Sequence, residues 1–243
     1  MNAPTTGVTL DRVQFARDGK VILPDLSLTV DAARVGVVGR NGSGKTTLSR
    51  LVAGLILPDQ GHVRVAGIDP GQDRKAALTT VGILFQNPDH QIIFPTVIEE
   101  LSFGLTQLGQ TRQDAEKQAL SLLTEYDVPH WADAHVSRLS QGQKQLVCLM
   151  AVLAMQPKLL ILDEPFSGLD LPTRAQLSRR LAGYAGQILH VTHAPEDLRE
   201  YDQVIWLDQG QLAGQGAPGA VLRDYVNEMQ RQGESDDLTD LAG

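Results

Sequence analysis

The chain has 243 residues, 42% hydrophobic and 21% charged, a globular composition that excludes a disordered or collagen-like chain and allows a sizeable core. Twenty-nine acidic residues against 21 basic ones give a formal net charge of −8, which argues against a nucleic-acid partner gripped through its phosphates. The longest unbroken apolar run, 146–155, is ten residues, about half of what a membrane-spanning helix needs. No secretory signal is visible in residues 1–6, and the single Cys148 cannot form an internal disulfide, so a cytoplasmic protein is expected.

Along the chain, residues 8–15 alternate loosely and 26–30 alternate as a half-exposed strand does. Residues 34–38 are a short apolar run, read as a buried parallel strand. Gly39-Arg40-Asn41-Gly42-Ser43-Gly44-Lys45-Thr46 follows directly and opens a helix at 45–55. This is the G-x-x-x-x-G-K-[ST] pattern in its strand–loop–helix setting. The glycines let successive backbone N–H groups approach phosphates, and the helix adds the positive end of its dipole. Lys45 is expected on the β- and γ-phosphates and the Thr46 hydroxyl on Mg²⁺. Gly39, Asn41, Gly42, Ser43, Gly44 and Thr47 complete this nucleoside-triphosphate site.

A second buried strand at 81–85 ends at Gln86. From 87 to 157 the strand–helix rhythm breaks into helix alone, read as a helical subdomain inserted into an α/β core. Thr96 with Glu99 and Thr111 with Asp114 form capping-box patterns. A helix at 113–126 places Ala115, Ala119, Leu122, Leu123 and Tyr126 on one stripe. Ser140 with Gln143 caps a further helix, 142–155, and leaves its N-terminal dipole exposed; Cys148 within it is a core thiol.

The apolar run 159–162 delivers Asp163 and Glu164 to the C-terminal edge of the sheet, where open α/β folds bind ligands. Asp163 is expected to hold Mg²⁺ through water. Glu164, on the other side of the strand, is expected to orient and polarise the attacking water. Phe166-Ser167-Gly168-Leu169-Asp170 comes next, then a helix at 172–184 and a strand at 188–192 that ends at His193. His190 and His193 face opposite sides of that strand and cannot share a metal ion. A strand at 204–207 and a helix at 218–226 follow. Residues 228–243 carry five acids against one base and are expected to form an acidic, disordered tail. Strands alternating with helices predict an α/β fold with a mainly parallel sheet.

The set Gln86, Leu139-Ser140-Gln141-Gly142-Gln143, Asp163-Glu164, Asp170 and His193, in this order after the phosphate loop, resembles the nucleotide-binding subunit of ABC transporters over about residues 8–226. The resemblance implies a P-loop NTPase with a RecA-like core, an N-terminal antiparallel β subdomain and the helical insert at 87–157, all in one domain spanning 1–227. Gln86 then looks like the Q-loop glutamine, a further Mg²⁺ contact, and 139–143 like the signature. Asp170 looks like the D-loop aspartate, and His193 like the switch histidine at the γ-phosphate. The family pattern also implies that Ser140, Gly142 and Gln143 close over ATP held by an opposite subunit, so that hydrolysis needs a dimer. Gln141 departs from the commoner glycine. Arg17 occupies the position where these ATPases usually stack an aromatic residue on adenine; a guanidinium plane can stack there, or the residue faces solvent.

The stretch Phe85-Gln86-Asn87-Pro88-Asp89-His90-Gln91-Ile92-Ile93-Phe94-Pro95-Thr96, continuing to Phe103-Gly104, is similar to the ATPases of energy-coupling factor (ECF) importers of vitamins and transition-metal ions. That similarity implies a transmembrane T-component, whose coupling helix enters a groove beyond Gln86 with Asp89 facing its basic residues, and a substrate-binding S-component. It also implies ATP and Mg²⁺ as cofactors, a peripheral place on the cytoplasmic face of the membrane, and a homodimer or a pair with a paralogous ATPase. Biotin is the first cargo it suggests; cobalt, nickel or another vitamin are the alternatives. The rival reading is a soluble ABC-type ATPase acting on DNA or ribosomes. Such proteins typically carry two of these domains or a long coiled-coil insertion, and neither is visible here. The signature and D-loop patterns count against a small-molecule kinase.

Overall fold

The computed structural model of the chain describes residues 7–233. Val8–Arg17 (β1) and Lys20–Val30 (β2) pair antiparallel across a turn in which Asp18 and Gly19 take positive φ. Arg34–Val38 (β3) leads through the glycine-rich loop into Lys45–Val52 (α1), and Gln60–Val65 (β4) returns to pair antiparallel with β1. The result is a three-stranded sheet of order β2-β1-β4, the antiparallel N-terminal element that the family resemblance implied. Arg74–Thr80 (α2) and Val81–Leu84 (β5) come next. Val97–Gln107 (α3), Arg112–Glu125 (α4) and Gln141–Ala154 (α5) then form the helical segment. The chain re-enters the sheet at Leu159–Asp163 (β6), followed by Leu171–Ala182 (α6), Gln187–Val191 (β7), Gln203–Asp208 (β8), Gln211–Gly216 (β9) and Pro218–Gly233 (α7).

The second sheet has the order β5-β6-β7-β3-β8-β9, parallel except for β9, which runs antiparallel to β8. Burial on both faces explains the unbroken apolar run of β6. Leu159 and Ile161 join the cluster of α1 and the antiparallel sheet, where Leu48, Leu51 and Val52 meet Val13 and Leu26. Leu160 and Leu162 point the other way, to Cys148 and Leu149 of α5 and Leu177 of α6. Each such side chain contributes about 1.5–3 kcal/mol by leaving water. Val97, Leu101, Leu123 and Met150 form the separate core of the helical segment. Cys148, on the side of α5 that faces β6, is fully buried, and burial pushes its thiol up to about 12, as a core thiol should behave.

Two local expectations change. Thr96 is the N-cap residue of α3, but its hydroxyl accepts from no helix N–H and donates to Glu99 at 2.5 Å; the first N–H groups of the helix are held by the carbonyls of Ala134 and Ala132. Helix α7 runs on to Gly233, so residues 228–233, read from sequence as tail, are helical and carry a Glu228–Arg231 ion pair. Residues 234–243, the rest of that reading, lie outside the described residues. No helix among the described residues is long and apolar enough to cross a membrane.

Candidate functional site

Four adjacent strands, β5, β6, β7 and β3, end at one edge of the parallel sheet, and each releases a loop that the sequence had marked. After β3 the phosphate loop turns on glycines. Gly44, the N-cap of α1, has φ 98°, and a β-carbon there would lie 2.8 Å from Leu23. Lys45 is 7% exposed and arches over the loop, its Nζ donating to the carbonyls of Gly39 at 2.7 Å and Arg40 at 2.9 Å. Burial lowers its pKa, opposed by the carboxylates of Glu164 and Asp163. Ser43 Oγ is buried with no hydrogen-bond partner among the described residues. Such a hydroxyl costs about 1–3 kcal/mol, and a phosphate oxygen accepting from it removes that cost.

Asp163 closes β6 and is 8% exposed; burial raises its pKa, Glu164 adds to the rise, and Arg50 and Lys45 oppose it. Glu164 stands past the strand end with φ 53°, and its N–H donates to the Val191 carbonyl at 2.9 Å. A left-handed turn, rather than the strand alternation expected from sequence, therefore separates the two carboxylates. Glu164 Oε2 lies 2.5 Å from Nδ1 of His193, an exposed side chain. His193 is in the loop beyond β7, not on the strand. His190 is on it, fully buried against the Tyr201 hydroxyl at 2.8 Å, and burial pushes its pKa down to about 3. The strand-face argument for the two histidines therefore does not apply, since one is a core residue and the other a loop residue. Gln86 sits two residues past β5, with Nε2 3.4 Å from Ser167 Oγ.

One cleft of about 900 Å³ is lined by the phosphate loop, Thr46, Thr47, Gln86, Asp163, Glu164 and His193. Lys20, Ile22 and Tyr225 also line it, and no sequence pattern marked them, since their place comes from how β2 and α7 pack. Arg17 does not line it; exposed at the end of β1, it pairs with Asp18 at 3.6 Å. Ser140, Gly142, Gln143 and Asp170 also stand outside the cleft. Ser140 and Gln143 form the expected reciprocal cap of α5, with N–H···O distances of 3.3 and 2.8 Å, and both line a different cavity of about 730 Å³ shared with α6. Asp170 caps α6 by accepting from the Thr173 N–H at 3.0 Å, and bonding to Thr173 lowers its pKa. Asp89 is held by Lys144 of α5, with Nζ 2.6 Å from Oδ1.

Comparison with known proteins covers most of the chain. The family model described as "ABC transporter" matches residues 23–167. The biotin transport ATP-binding protein BioM of Rhodobacter capsulatus is 46% identical over 223 residues, 92% of this chain and 95% of that protein. The energy-coupling factor transporter ATP-binding protein EcfA1 of Fusobacterium nucleatum is 32% identical, over 89% of this chain and 84% of its own. Among solved structures, cbiO1 from Clostridium perfringens, described as part of the ABC transporter complex cbiONQ, superposes with a TM-score of 0.75 at 27% identity, covering 90% of this chain and 91% of that one. Set beside a cleft built around a phosphate loop and a carboxylate pair, these similarities place the chain in the ABC transporter family, as an ATP-hydrolysing subunit of the energy-coupling factor type.

Proposed function

We propose that the chain drives an importer of biotin, working as a dimer docked on transmembrane and substrate-binding partners at the cytoplasmic face of the membrane. The observation that carries this reading is the division of the motif set. The groups that bind phosphate and activate water share one cleft, whereas Ser140 and Gln143 line another. A second subunit's signature helix can complete the cleft, with its dipole and serine on the γ-phosphate. Biotin is supported by the likeness to the Rhodobacter capsulatus protein named for its transport. The groove beyond Gln86, lined by Asn87, Asp89, His90 and Lys144, is the proposed seat of the coupling helix. Asp89 enters that encounter already paired.

In the cleft, Lys45 and the loop N–H groups hold the phosphates, and Glu164 takes the proton of the attacking water. His193, beside Glu164, orients that carboxylate and reports on the γ-phosphate. The donor set suits a hard divalent cation: a buried carboxylate on Asp163, whose raised pKa a cation would reverse, near the Thr46 hydroxyl. Thr46, Asp163 and Gln86 would hold Mg²⁺, which neutralises developing charge on the phosphates.

Uptake of labelled biotin by cells carrying the full transporter tests the reading. It is expected to vanish with Lys45→Ala. Intact biotin uptake in that variant, together with lost cobalt or nickel uptake, would reassign the cargo.

A further inference from the structure

The last helix reaches the phosphate loop. Arg40, the second residue of that loop, gives its carbonyl to Lys45 Nζ at 2.9 Å, and its own Nη1 donates to Gln232 Oε1 near the end of α7, also at 2.9 Å. Gln232 is oriented in turn: its Nε2 donates to Glu228 Oε1 at 2.7 Å, and Arg231 grips the same carboxylate through Nε at 3.0 Å and Nη2 at 2.8 Å. An amide whose nitrogen is engaged by a carboxylate presents its oxygen the other way, so Glu228 decides which atom meets Arg40. Earlier in α7, Tyr225 is 6% exposed, lines the nucleotide cleft and packs edge-on against Trp206, with ring centroids 5.8 Å apart. Val221 and Leu222 cluster with Leu198, Val204 and Val38, the residue that precedes the loop. Helix α7 thus bears on the phosphate loop at its root and at its second residue.

We propose that Gln232 is a positioning residue for ATP binding. Through Arg40 it holds the first turn of the phosphate loop in the shape that Lys45 and the loop N–H groups require, and Glu228 fixes the amide that does so. The inference rests on the cleft being the ATP site. If α7 only packed, its variants would lower stability without selecting KM.

Steady-state ATP hydrolysis by the full chain in its assembled complex separates the two. Gln232→Ala is expected to raise KM for ATP about three- to tenfold, the worth of one partly exposed hydrogen bond. The kcat should stay within about twofold, with Tm of the nucleotide-free protein unchanged. Gln232→Glu keeps an acceptor toward Arg40 and is expected to recover most of the lost KM. Combined with Arg40→Ala, Gln232→Ala should add nothing further, because both remove the same link. An unchanged KM in Gln232→Ala, additive effects in the double variant, or a fall in Tm that tracks KM without recovery in Gln232→Glu would each overturn the proposal. A wild-type chain that binds no ATP would instead overturn the reading of the cleft, whatever Gln232 does.

Discussion

Glu164, the proposed base, stands on an unusual backbone. A left-handed conformation costs a non-glycine residue about 1–2 kcal/mol, and here the Glu164 N–H bond to Val191 and the turn closed by the Ser167 N–H hold it in place. The consequence is a carboxylate aimed into the cleft within 2.5 Å of His193, while the neighbouring Asp163 remains on the buried strand end. Glu164→Gln preserves shape but removes the proposed base. Turnover should fall by about 10²–10⁴, with ATP still bound and the dimer stabilised, as single-turnover hydrolysis and equilibrium ATP binding would read. A rate near wild type would remove Glu164 from its role. Lys20 and Ile22 of β2 line the same cleft. Arg17 meets adenine only by reaching in from the hairpin. Stacking by an exposed guanidinium is worth about 0.5–1 kcal/mol, so a contact with adenine would raise Kd for ATP about two- to fivefold in Arg17→Ala, whereas the place of Arg17 outside the cleft predicts no change. An unchanged Kd leaves Arg17 as a solvent-facing residue.

Between elements, α6 and the loop after His193 are tied together by charge. Arg174 of α6 pairs with Asp197, whose carboxylate is only 5% exposed, and lies over the Phe166 ring at 5.2 Å from its centroid. Burial pushes the Asp197 pKa up more than Arg174 pulls it down, so the carboxylate depends on its partner. Arg174→Ala leaves that charge buried alone and should cost about 3 kcal/mol in urea unfolding; Arg174→Met with Asp197→Leu should recover most of it. A loss below about 0.5 kcal/mol, the scale of a surface pair, would mean that water reaches Asp197. None of this pairing was legible in the sequence, because it joins residues 23 positions apart through tertiary packing. What was legible had a local cause: the glycine loop with its helix, the two-sided burial of β6, and the reciprocal cap at Ser140 and Gln143. The strands and helix that escaped notice lack such a cause. β9, Gln-Leu-Ala-Gly-Gln-Gly, has no buried residue and exists by pairing with β8. β4 buries only Val63 and Val65, and α2 buries only Thr80.

At the scale of the molecule, one chain presents the cleft and the signature helix separately, so two copies can complete each other head to tail. That arrangement makes a quantitative demand. If the proposed dimer holds, a signature variant such as Ser140→Arg should retain a working cleft but fail to serve a partner's nucleotide. Glu164→Gln should retain a working signature but fail to activate water in its own cleft. Each alone should be nearly inactive. Mixed in equal amounts, about half of the dimers are heterodimers, and each has one intact site: the cleft of the first variant closed by the signature of the second. Hydrolysis should return to about a quarter of the wild-type rate, provided that the two sites fire independently. If mixing restores nothing beyond the sum of the separate variants, the copies do not share sites. The second half of each cleft would then have to come from a different ATPase chain.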